Sequence, residues 1–212
     1  MYLPAPGSDF ELAPAGTHLA VCYRILDLGT QKTTFQGKEK DQHKIMLSWE
    51  LAEEKMKDGR PFTISKRYTW SMDKKANLRK DLEAWRGVAF KDSDFGATGF
   101  NLRKVLGVGC LLTVSHSITD DKEYANISTV SKLMKGMTAP KPTNEIVYLW
   151  LSADLWEPST FHKLGEGLQK IIMKAPEYLK LNGGVDDDEL PPDDGIPPVE
   201  HVPDGNEADI PF

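Results

Sequence analysis

Residues 18–27 (HLAVCYRILD) alternate, with Leu19, Val21, Tyr23 and Ile25 on one face, the period of a half-buried strand. Residues 28–42 carry Gly29, Gly37 and several polar side chains and predict a loop. Alternation resumes over 43–51, with Ile45, Leu47, Trp49 and Leu51 inward and Lys44 and Met46 outward. Lys57-Asp58-Gly59-Arg60 is a turn signal, and 62–70 (FTISKRYTW) predicts a third strand rich in Thr, Ile, Tyr and Trp. Over 74–86 the period changes: Leu78, Leu82 and Trp85 recur at helical spacing, with Asp73 or Ser71 as N-cap and Gly87 as the stop. Residues 88–109 predict a glycine-rich connection with a short helical turn near Leu102–Leu106. Residues 110–118 and 124–133 predict two more strands, hairpinned through Thr119-Asp120-Asp121-Lys122.

The resulting order is β-β-β-α-β-β. That is the order of a five-stranded OB-fold, a small Greek-key barrel with one inter-strand helix. An open α+β sheet is the alternative. The fold class read from the pattern is therefore mainly β. Beyond Gly136 the pattern differs. Pro140 and Pro142 mark a linker, and 146–151 (IVYLWL) predicts a strand or buried edge. Residues 158–174 predict a helix with Phe161, Leu164, Leu168, Ile171 and Ile172 on one stripe, which Gly165 and Gly167 weaken and are placed to split. Residues 176–181 predict a terminal turn. The domains expected are 1–137 as the barrel, 138–184 as linker and helical extension, and 185–212 as a disordered acidic tail.

Charge reinforces that last boundary. Residues 185–212 hold ten acids and no Lys or Arg, whereas the other 184 residues carry all 26 bases against 22 acids, a net of +4. The overall −6 thus hides a mildly basic body, suited to a polyanion partner, behind an acidic tail rich in proline. With few and aperiodic apolar residues, the tail cannot offset the entropy of ordering. Its last residues break the polar pattern: Asp209-Ile210-Pro211-Phe212 exposes two large apolar side chains unless a partner covers them.

Those four residues, after Glu207 and the acidic run, resemble the tip of bacterial single-stranded-DNA-binding proteins. The resemblance implies that Asp209, Ile210, Pro211 and Phe212 dock on proteins of replication, recombination and repair, with Phe212 in an apolar pocket and the acids steering it to basic rims. Glu207-Ala208-Asp209 departs from an unbroken aspartate run, which softens steering without touching the Phe anchor. The body resembles phage-encoded single-stranded-DNA-binding proteins of OB-fold type. That likeness is carried by Gly16-Thr17-His18, Asp27-Leu28-Gly29-Thr30-Gln31, Trp49-Glu50-Leu51, Trp85-Arg86-Gly87 and the stretch from Phe161 to Pro176-Glu177-Tyr178. It covers most of residues 16–180.

Sequence-independent binding of a single strand needs cations along the phosphate path and aromatic faces for bases. In an OB-fold these sit on strands two and three and the flanking loops. Residues 24–44 supply Arg24, Lys32, Lys38, Lys40 and Lys44, with Phe35 among them as the best stacking candidate. The third strand and its exit supply Lys66, Arg67, Lys74 and Lys75, interleaved with Tyr68 and Trp70. By parity with Phe62 and Ile64, Tyr68 and Trp70 are open to both core packing and stacking, while Arg67 and Thr69 look outward. Trp49 and Trp85 read as core.

Cys22 and Cys110 are far apart, form no metal motif or disulfide framework, and read as thiols packed in strands of a reducing compartment. Met1–Phe10 lacks the basic and apolar regions of a signal peptide, and no apolar run is long enough to span a membrane, so the expected location is the cytoplasm of a bacterial host. The five histidines are scattered, and no P-loop or GxSxG is present. The expectation is a non-catalytic protein without cofactor or metal that binds single-stranded DNA and recruits partners through its tip. A single barrel covers few nucleotides, which leaves a homodimer through residues 146–181 open. Two other classes stay open: a recruitment factor whose body binds protein, and a metal-dependent nuclease or recombination enzyme using acids such as Asp73 and Asp120-Asp121.

Overall fold

The computed structural model describes residues 11–35, 37–95, 99–120 and 122–183, Phe35 as backbone only. The acidic tail, with Asp209, Ile210, Pro211 and Phe212, lies outside the described residues. The chain is mainly β. Six strands form one antiparallel sheet: β1 (Gly16–Phe35), β2 (Lys38–Lys55), β3 (Pro61–Thr69), β4 (Gly109–Thr119), β5 (Lys122–Ser131) and the short β6 (Val147–Leu149). The hydrogen-bonded path runs β3-β2-β1-β4-β5, with β6 on β1. That path is open, although its two ends, β3 and β5, come into contact.

β1 and β4 pair from Gly16↔Val114 to Val21↔Gly109. β4 and β5 form the expected hairpin, from Leu111↔Ser131 to Thr119↔Lys122, with a shift in register between Thr113 and Val114. Asp120 turns the hairpin at φ 47°. Between β3 and β4 stands α1 (Asn77–Arg86), which buries Leu78, Leu82 and Trp85. The Trp85 ring lies 5.8 Å from that of Trp49, and its indole N–H donates to the Gly109 carbonyl at 2.9 Å. Gly87 ends the helix in the left-handed region, as expected. The N-cap differs from expectation: it is Ala76, without a side-chain cap. Asp73 and Ser71 instead close local turns, accepting from the N–H groups of Lys75 and Asp73.

Two further expectations are corrected. Residues 28–42 are not a loop; β1 runs on to Phe35 and β2 begins at Lys38. Thr30, Thr33 and Thr34 suit extended backbone, Gly37 turns the ribbon at φ +74°, and the Thr33 hydroxyl donates across it to the Lys40 carbonyl at 2.9 Å. Nor is β1 half-buried: from Ala20 to Leu28 every residue but Arg24 is buried, and Met46 of β2 is buried too.

Residues 11–26 and 45–148 form one compact unit, and 27–44 with 149–183 another. In the first, the proline-marked segment 138–144 is irregular but pinned. Buried Glu50 accepts the backbone N–H groups of Thr143 (2.6 Å) and Asn144 (2.8 Å) and the Asn144 amide. Burial works against the Glu50 charge, yet these donors outweigh it and hold its carboxyl below the usual range.

In the second unit, α2 (Pro158–His162) and α3 (Glu166–Met173) are the two pieces of the expected helix, split at Gly165. α4 is Pro176–Leu181. Trp156, Phe161 and Tyr178 form an aromatic cluster, with ring centroids 5.2–5.6 Å apart. Gly29, at φ +68°, lies so close to α4 that an added Cβ would stand 2.4 Å from the Ala175 methyl.

Candidate nucleic-acid interface

A polar row crosses three strands of the first unit. Arg24 Nε of β1 donates to Ser48 Oγ of β2 at 3.2 Å, and Ser48 Oγ lies 2.8 Å from Ser65 Oγ of β3. These contacts place the three side chains on one face. Arg67, two residues beyond Ser65, shares that face by strand alternation and is exposed. Ser48 is buried beneath the row, Arg24 is half-buried, and Ser65 and Arg67 are exposed, so the face offers two guanidiniums and one exposed hydroxyl. Each guanidinium is a permanent cation with a planar fork suited to phosphate.

Lys66 and Tyr68 belong to the opposite parity. Tyr68 is buried, and its hydroxyl donates to Asp81 of α1. Burial, reinforced by the Asp81 charge, pushes its phenol well above the ordinary value. The Lys66 ammonium forms an ion pair with the same carboxylate at 2.8 Å and lies 5.5 Å from the Tyr68 ring centre. Of the two roles open for Tyr68, the structure gives it the core. Trp70 is half-buried. Lys74 and Lys75 are exposed in the turn ahead of α1.

In the second unit Lys32, Lys38 and Lys40 are exposed along the β1–β2 ribbon, and Lys44 is half-buried. Phe35 closes β1 beside the Gly37 turn. The ribbon therefore carries three exposed cations on paired strands where the pattern predicted a loop. Among the described residues no group of three His, Cys, Asp or Glu is arranged to hold a metal ion, and no helix is long and apolar enough to cross a membrane.

No protein-family model matches this chain, and no curated protein matches it.

Several features of the surface escape the sequence pattern. Tyr124 of β5 is 40% exposed, on the hairpin face with Ser117 and Asn126, whose side chains hydrogen-bond at 2.8 Å. Arg103 places its guanidinium 4.6 Å from the centre of the Tyr148 ring. A cavity of about 340 Å³ in the first unit is lined by Trp85, Phe90, Phe100 and Val108, with Arg86, Asp94 and Lys104 around them. Arg86 lies over the Phe90 ring at 4.3 Å while pairing with Asp94 at 3.1 Å. The alternation of Tyr124 with Asn126 was the one legible signal. The Arg103–Tyr148 pair joins residues too distant in sequence for any local period to show.

Proposed function

We propose that this chain binds single-stranded DNA without strong sequence preference and performs no catalytic step. Its fold in this reading is an OB-type barrel. What supports the barrel is the strand path β3-β2-β1-β4-β5 with α1 between β3 and β4, together with the approach of the path's two ends. The observation that carries the function is the Arg24–Ser48–Ser65 row with Arg67 on the same face of β1, β2 and β3. This is the face on which such folds bind oligonucleotides. The exposed lysines of the ribbon, Lys32, Lys38 and Lys40, and those of the α1 turn, Lys74 and Lys75, extend the supply of cations. The likeness of the body to phage single-stranded-DNA-binding proteins points the same way. In this reading Asp209, Ile210, Pro211 and Phe212 recruit replication, recombination or repair proteins, and the protein works in the cytoplasm of a bacterial host.

The test is a titration of the full chain with oligo-dT, read by tryptophan fluorescence at rising salt. The expected result is saturable binding whose log K falls linearly with log salt. Absence of binding, or equal affinity for duplex, rejects the reading.

A second reading has its own support. The aromatic-lined cavity beside Arg86 and Lys104, whose lining includes Val108, 42% exposed, with Val88, 51% exposed, close in sequence to Arg86 and Phe90, suits a protein ligand better than a nucleic-acid strand. In that reading the body is a recruitment module, and oligo-dT leaves the tryptophan signal unchanged.

A further inference from the structure

The second unit holds a cluster that DNA binding does not use. His43 of β2 stands between two carboxylates. Its Nε2 is 2.7 Å from Asp27 Oδ1 of β1, and its Nδ1 is 3.6 Å from Glu177 Oε1 of α4. Both acids are already committed as acceptors. Asp27, 1% exposed, takes the backbone N–H groups of Gly29 (2.8 Å) and Leu151 (3.2 Å). Glu177 takes the N–H (2.9 Å) and hydroxyl (2.6 Å) of Thr30. The Trp150 ring stacks on the imidazole at 6.3 Å.

A neutral imidazole carries one N–H. If Nε2–H donates to Asp27, the Nδ1 lone pair faces the Glu177 oxygen, and two acceptors oppose each other. The doubly protonated ring donates to Asp27 and turns a positive Nδ1–H toward the Glu177 carboxylate at ion-pair distance. We propose that His43 is a proton-controlled clasp that holds α4, through Glu177, against the β1–β2 ribbon.

Asp27 and Glu177 are the charged groups that face the ring. The hydrogen bond to Asp27 is the largest influence on His43. Burial opposes it, and the charges of Asp27 and Glu177 add to it, so the imidazole titrates above its ordinary value. A raised histidine contributes fully below about pH 6.5, and its contribution is lost as pH rises through the folded value. Glu177 behaves in the opposite sense. Burial works against its charge, but the Thr30 hydrogen bonds and the His43 charge outweigh that and hold it below the usual carboxylate range. Its contribution is lost only when pH falls through that lowered value. Attachment of α4 is therefore strongest in mildly acidic to neutral solution and loosens on the alkaline side. The acidic run that starts at Asp186 follows α4 in the sequence, so the clasp sets where that run is anchored. None of this depends on the DNA-binding reading.

The test pairs an NMR titration of the histidine rings with hydrogen exchange of residues 176–181 in the full chain, corrected for the intrinsic pH dependence of exchange. His43 is expected to titrate above about 6.5, with exchange in 176–181 accelerating severalfold across the same midpoint. Glu177→Gln supplies an amide that donates to a neutral Nδ1. It is expected to lower the His43 midpoint and abolish the step in exchange. His43→Gln removes the titrating group, and its exchange in 176–181 is expected to show no step either. The proposal is overturned by a His43 midpoint at or below the ordinary value, by exchange in 176–181 that ignores that midpoint, or by a step that survives in either variant.

Discussion

The Tyr68 hydroxyl donates to Asp81 Oδ2 at 2.7 Å, joining the end of β3 to α1. The same oxygen takes the Lys66 ammonium, so one carboxylate organises two of the side chains that the pattern offered to DNA. Tyr68→Phe should therefore lower stability by about 1 kcal/mol and leave oligo-dT affinity unchanged. Paired urea melts and DNA titrations separate these outcomes. A loss of affinity without a loss of stability would return Tyr68 to the binding face.

Arg24 and Arg67 are the residues whose charge reversal should weaken DNA binding. Each Arg→Glu change should weaken oligo-dT binding similarly for all sequences and reduce the slope of log K against log salt by about 1. Arg67→Glu is the cleaner variant, because Arg67 is exposed and Arg24 is hydrogen-bonded to Ser48. Fluorescence anisotropy over a salt series reads the slope directly.

Two glycines of the ribbon give a contrast. Gly29 and Gly37 both have positive φ, but only Gly29 faces other atoms where a Cβ would stand. Gly37→Ala should cost about 1 kcal/mol, the penalty of a left-handed alanine. Gly29→Ala adds a collision with Ala175, Glu177 and Leu151, and should cost about 1–3 kcal/mol more. Chemical denaturation of the two variants side by side measures the difference.

Glu50→Gln keeps the shape but sets an amide against the N–H groups of Thr143 and Asn144. The expected loss is about 1–3 kcal/mol, read as a fall in the denaturation midpoint. Because Glu50 titrates below the usual range, its contribution in the parent protein is present above about pH 4.5 and disappears as pH falls through the folded value. An acid titration of stability should lose part of its slope in Glu50→Gln.

Cys22 and Cys110 are both buried, and burial raises both thiols, that of Cys22 to about 12. At pH 8 neither offers an appreciable thiolate. Native protein should resist a disulfide-exchange reagent for hours and release two equivalents at once in denaturant. Rapid labelling of the native chain would show that these strands open locally.

Trp49, Leu78, Leu82 and Trp85 were legible because core-facing residues repeat with the backbone's own periods, two along a strand and 3.6 along a helix. The Gly87 stop, the break at Gly165 and the Gly59 turn were legible for the same local reason. The pattern misled where local chemistry has two outcomes. Glycine and polar residues over 28–42 suit a loop, yet threonines there suit a strand, and pairing across the Gly37 turn settled it. Asp73 and Ser71 can cap a helix or close a turn, and here they close turns. Of the binding candidates, alternation set Arg67 and Tyr68 on opposite faces but left Tyr68 open between core and stacking, and it carried no sign that Lys66 is held by Asp81.

The succession of strands and helix along the chain, the buried face of α1 and the division into a basic body and an acidic tail follow from amino-acid order, because each is read from stretches of the chain without knowing which distant segments meet. The joining of Arg24 to Ser48 and Ser65, of Glu50 to Thr143 and Asn144, and of His43 to Asp27 and Glu177 belongs to the folded chain alone. The hydrogen-bonded partners among them lie 16 to 94 residues apart. Whether a polar side chain is spent on another residue or remains on the surface is decided only when distant segments meet and each buried donor must find an acceptor.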